Sequence, residues 1–129
     1  MKSSSYSPSQ KDSRMLSKMF EHYLKSGKEA LEYLSKYREV AKRVKEVVET
    51  YCKGSKVYIF GSTLKGRFTA ASDIDLLIVC DGIDREEAER LKVEIVRSLG
   101  YSVPLQIHIA TTKEFKEWYL RFVEEIEEV

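Results

Sequence analysis

Near Lys56 the hydrophobic spacing of this chain changes, and that change constrains the fold more than any other feature. Upstream, from about Asp12 to Tyr51, apolar residues recur at intervals of three and four with no proline among them. Leu16, Met19, Phe20, Tyr23 and Leu24 make one stripe. Leu31, Leu34, Ala41, Val44, Val48 and Tyr51 make another. Ser26-Gly27 is expected to end the first helix and Lys28 to begin the second, because glycine commonly closes a helix in the left-handed region. Downstream the spacing gives way to short runs of β-branched and aromatic residues, Lys56–Phe60 and Ile74–Cys80, which read as strands.

The rest of the chain alternates. Asp81-Gly82 is a turn signal, and Asp84 caps a helix with an acidic first turn that runs to Gly100 with Ala88, Leu91, Ile95 and Leu99 on one side. Pro104 to Ala110 is a third strand. A closing helix is expected from Thr112 to Glu128, capped by Thr111 or Thr112 with Glu114 completing a capping box, and carrying Phe115, Trp118, Tyr119 and Phe122 on one face. The order helix, helix, strand, strand, helix, strand, helix implies an α/β (α+β) domain on a small mixed sheet. At 129 residues one domain is expected. We assign 1–11 as a disordered tail and 12–129 as the domain, with 12–51 a helical extension and 56–129 the catalytic-type core.

Charge and composition exclude several classes of function. Basic and acidic residues nearly cancel, at a net charge of +1, and they are interleaved, so direct nucleic-acid binding is not indicated. No apolar run approaches the roughly 20 residues of a membrane span. The polar N-terminus has no apolar signal core, so a cytoplasmic location is expected. Cys52 and Cys80 lack metal-ligand spacing and are expected to be reduced, partly buried thiols.

The chemistry concentrates in FGSTLKGRFTAASDID, residues 60–75. Gly61 directly follows a strand, where the lack of a side chain admits another group close to the backbone. Ser62 can cap a short helix starting near Thr63, and unpaired N–H groups there suit a phosphate. Lys65 and Arg67 add two cations to the same loop. Asp73 and Asp75, two residues apart on a strand, project from one face. Paired carboxylates repel unless a cation lies between them, and oxygen-only ligands favour Mg²⁺ or Mn²⁺.

A phosphate loop and a metal pair on sequential strands, with residues 63–72 separating Ser62 from Asp73, resemble the signature of the DNA polymerase β-type nucleotidyltransferase superfamily. The chain is most similar to its minimal nucleotidyltransferases, whose motif often reads G-S-x-A-R-G followed by S-D-I-D-L. Here GSTLKG stands first, with Lys65 replacing the usual arginine, and SDIDLL, residues 72–77, stands second. The resemblance implies transfer of a nucleotide, AMP from ATP, onto an acceptor with two Mg²⁺ ions. Asp73 and Asp75 would be catalytic metal ligands, Gly61 and Ser62 would hold the β- and γ-phosphates, and Lys65 and Arg67 would add charge. It also implies a third carboxylate on the next strand. There PLQIHIA offers Gln106 at that position, with His108 on the same face as an alternative proton acceptor. Minimal members commonly pair with an all-helical HEPN protein as a toxin–antitoxin system, so a HEPN-like partner or a second copy of the chain would present the acceptor. The alternative is a catalytically weak or inactive nucleotide- or partner-binding module, because the third acid is missing.

Overall fold

The computed structural model describes residues 10–119, 121 and 125–129. Elements follow in the order α1 (Gln10–Ser35), α2 (Tyr37–Tyr51), β1 (Lys56–Phe60), β2 (Ile74–Val79), α3 (Arg85–Leu99), β3 (Leu105–Ala110), α4 (Thr112–Glu114) and β4 (Ile126–Glu128). Phe115–Tyr119 continues from α4 as a π-helical turn. The four strands form one mixed sheet in the order β3-β2-β1-β4. β1 is antiparallel to both its neighbours, and β2 and β3 run parallel. The crossover between those parallel strands is α3, as such a pair requires.

Alternation along the strands divides the side chains between two faces. Val57, Ile59, Ile74, Leu76 and Ile78 bury against Leu34, Val44 and Val48 from the helical region and Leu91, Ile95 and Leu99 of α3. This is the main core. The opposite face carries a smaller cluster of Tyr58, Leu77, Val79 and Ala110, with Phe60, Phe115 and Ile126 packed against it. The rings of Tyr58 and Phe115 stack at 4.7 Å between centroids. α3 forms as its sequence dictates: the Asp84 side chain accepts from the Glu87 N–H at 2.8 Å, and Gly100 ends the helix at φ 104°.

Three expectations are corrected. Helix α1 does not break at Ser26-Gly27 but runs through to Ser35. A mid-helix glycine costs only about 1 kcal/mol, which long helices tolerate. The break falls at Lys36, whose N–H is shared between the carbonyls of Glu32 and Tyr33 at 3.2 and 3.1 Å. The closing helix from Thr112 to Glu128 is not formed either. After one capped turn and the π segment, the chain returns as β4 on the open edge of β1, with Tyr58 opposite Glu128 and Phe60 opposite Ile126. The Glu-rich run favours helix locally, but tertiary pairing overrides it. The Arg38 guanidinium grips Glu127 through two bonds of 2.8 and 3.0 Å, and Lys45 donates to the Val129 carbonyl at 2.8 Å. Phe122 and the side chains of Trp118 and Tyr119 lie outside the described residues, as does the expected tail as far as residue 9.

The third correction concerns the cysteines. Cys52 at the end of α2 and Cys80 just after β2 form a disulfide, with Cα atoms 6.3 Å apart. The fold brings together two thiols 28 positions apart, which no local spacing rule could anticipate.

Candidate active site

The connection between β1 and β2 is anchored at both ends. Thr63 is buried, and Leu64 and Phe68 pack against the main core. Lys65, Gly66 and Arg67 between these anchors are exposed. The Ser62 carbonyl accepts from the Arg67 N–H and the Thr63 carbonyl from the Gly66 N–H, each at 3.0 Å. These bonds close a turn over 62–66 rather than the short helix expected at Thr63. The turn leaves the N–H groups of Ser62 and Thr63 outside the backbone hydrogen bonds of the described residues, so they can serve an anion.

A second small turn presents the acidic pair. Ser72 accepts at its hydroxyl from the Thr69 N–H at 2.9 Å, and its own N–H donates to the Thr69 carbonyl at 3.0 Å. Asp73 follows, exposed, immediately before β2, while Asp75 is half-buried within that strand. Burial pushes the Asp75 carboxyl up from its ordinary value. The positive potential of His108 opposes this, and the charge of Asp73 adds to it. Two carboxylates whose charges disfavour one another, at a partly desolvated position, fit a cation.

Gly61 is fixed by two constraints. Its φ of +86° lies in the left-handed region, and any Cβ built there would run into the Asp75 carboxylate. The phosphate-type turn and the acidic strand therefore touch at this point. Gly66 shares the left-handed conformation at φ +70° but faces open space.

Strand register sets the remaining neighbours. Asp75 stands opposite Phe60 on β1 and opposite Gln106 on β3. Gln106 is exposed and half-buried His108 sits one step along the same face, its ring 5.5 Å from that of Phe60. Gln106 thus occupies the position beside the acidic pair that the sequence pointed to, and it is neutral. Among the described residues, no group of three His, Cys, Asp or Glu side chains gathers closely enough to hold a metal ion. A cation placed here would have only Asp73 and Asp75 as nearby carboxylates and would need water or substrate oxygens to complete its shell. Phe60 was not singled out from sequence. Only the β1–β2 register, invisible in a single chain, places it beside Asp75.

Comparison with known proteins identifies the family and the fold. A nucleotidyltransferase domain family model matches residues 37–128, more than half of the chain. The crystal structure of a candidate nucleotidyltransferase, 29% identical, superposes with a TM-score of 0.58 over 68% of this chain and 95% of its own. A second candidate nucleotidyltransferase, from Sulfolobus solfataricus and 24% identical, shares the fold with a TM-score of 0.53 over 78% of this chain and 85% of its own. None of the curated proteins searched matches the chain. The chain belongs to the nucleotidyltransferase domain family.

Proposed function

We propose that this protein transfers AMP from ATP to an acceptor hydroxyl, with Mg²⁺ held by Asp73 and Asp75. Members of the family generally use a nucleoside triphosphate and divalent metal ions. The observation that carries the proposal is the contact between Gly61 and Asp75, which brings the phosphate-type turn against the acidic pair. The N–H groups of Ser62 and Thr63 hold the terminal phosphates, and Lys65 and Arg67, both exposed on the same turn, add positive charge around them. Asp73 and Asp75 supply the negative charge that a divalent cation needs. When bound, that cation neutralises the triphosphate and favours departure of pyrophosphate. Catalysis by these residues is positioning and charge compensation rather than covalent chemistry. The acceptor belongs to a partner protein of the HEPN kind or to another copy of the chain.

A second reading rests on one specific observation, the neutral Gln106 opposite Asp75. A glutamine can offer a carbonyl oxygen but cannot take a proton from the acceptor hydroxyl. On this reading the site binds nucleotide and transfers it slowly or not at all. Incubation with α-labelled ATP and Mg²⁺, with and without a partner protein, separates the two. The leading proposal expects label transfer that Asp73→Asn/Asp75→Asn abolishes and Gln106→Glu increases. Mg²⁺-dependent ATP binding without transfer would replace it with the second reading.

A further inference from the structure

The family match begins at Tyr37, which leaves α1 outside it. Only the last third of α1 packs on the body of the protein, with Leu34 fully buried and Tyr33 against the core. Every residue from 13 to 26 is exposed, about 20 Å of helix at 1.5 Å per residue. That length is not polar. Leu16, Met19, Phe20, Tyr23, Leu24 and Leu31 lie along one side and are 41–74% exposed.

Two features identify what covers this face. The first is its period. Leu16, Phe20, Tyr23, Gly27, Ala30 and Leu34 recur in alternating steps of four and three, the spacing by which one helix packs along another. The second is its area. Six large side chains at this exposure present roughly 700 Å², above the few hundred Å² typical of a monomer's largest patch and close to the roughly 800 Å² each partner gives a standard interface. We propose that α1 pairs with α1 of a second copy of this chain, the two helices running antiparallel about a two-fold axis.

The direction follows from where the body sits. The stripe at Ala30 to Leu34 is already occupied by the chain's own core, so a parallel pair would bring the two bodies together at one end. An antiparallel pair places them at opposite ends. With Phe20 opposite the second copy's Tyr23, Leu16 falls opposite Gly27. At that point a groove of about 620 Å³ opens between α1 and the loop Thr69–Ala71, with Tyr23, Leu24 and Leu31 among its walls. A Cβ built on Gly27 would already touch that of Ala70 at 3.7 Å, so the glycine lies close against the chain's own loop and the incoming Leu16 meets the groove beside it. The groove's loop leads directly into Ser72 and Asp73. Each copy therefore places the start of its α1 beside the loop that leads to the other's acidic pair.

Sedimentation velocity on the full chain tests the proposal. The expected result is a 30 kDa species, twice the 15.0 kDa chain. Phe20→Glu should weaken it by about a hundredfold while the melting transition of the body stays in place. Leu16→Cys/Gly27→Cys should cross-link two copies on oxidation, whereas Leu16→Cys alone should not. A monomer at all micromolar concentrations, a dimer indifferent to Phe20→Glu, or cross-linking by Leu16→Cys alone would each overturn the proposal. So would a monomer whose α1 binds only a different protein.

Discussion

Gly61 and Gly66 have similar backbones and different surroundings, which makes them a matched pair. Both adopt positive φ, but only Gly61 faces the Asp75 carboxylate. Gly66→Ala should cost about 1–2 kcal/mol, the left-handed penalty alone. Gly61→Ala should cost more, because the carboxylate must also move, and it should abolish Mg²⁺-dependent ATP binding. Urea denaturation and calorimetric titration on both variants check this. Asp75 carries the opposite balance. Its folded pKa is raised, chiefly by burial, so the ionised form subtracts stability at neutral pH. Asp75→Asn should therefore melt no lower than the parent while losing Mg²⁺-dependent nucleotide binding. A lower melting temperature would show that the carboxylate is structural. A carboxylate that costs the fold in this way is the pattern expected where a binding site opposes stability.

Among the elements, α3 and the strands β1, β2 and β3 were readable in advance because local signals agreed with tertiary demand. Asp84, the Ala88–Leu99 stripe and Gly100 all point to one helix, and the structure contains that helix. β4 was not readable: Glu124 to Val129 is a helix-favouring run, and only the unpaired edge of β1 and the Arg38 grip on Glu127 make it a strand. The candidate site divides in the same way. Gly61, Ser62, Asp73 and Asp75 are visible as a motif, whereas the placement of Phe60, Gln106 and His108 around Asp75 is a property of register. The C-terminal segment also depends on Asp81, which accepts from both the N–H and the hydroxyl of Thr112. These bonds hold the Asp81 carboxyl below its ordinary range. The stabilisation is thus complete above about pH 4, the unfolded value, and is lost as pH falls through the folded one. Denaturation between pH 5 and 2 should show this slope, and Asp81→Asn should reduce it, leaving the part that Glu127 contributes through Arg38.

On the scale of the whole molecule, the disulfide and the acidic pair lie toward opposite ends of β2, so stability and chemistry can be altered separately. Replacing both cysteines, Cys52→Ser/Cys80→Ser, should lower unfolding free energy by about 3–4 kcal/mol, the loop-closure value for a 28-residue separation. The fold should persist, because the buried strand and helix side chains of the main core still pack without the bond, and Mg²⁺-dependent ATP binding should remain. Chemical denaturation and ATP titration of the variant are the measurements. A collapse of binding together with stability would show that the two ends are coupled.

The positions of the two cysteines have one more consequence. Cys52 and Cys80 bracket the whole stretch from Gly61 to Asp75, so the phosphate-type turn and the acidic pair lie within a covalently closed ring. The connection between β1 and β2 is largely exposed and open to a protease. A single cut there opens the ring without releasing either half, and the severed chain remains one molecule until it is reduced.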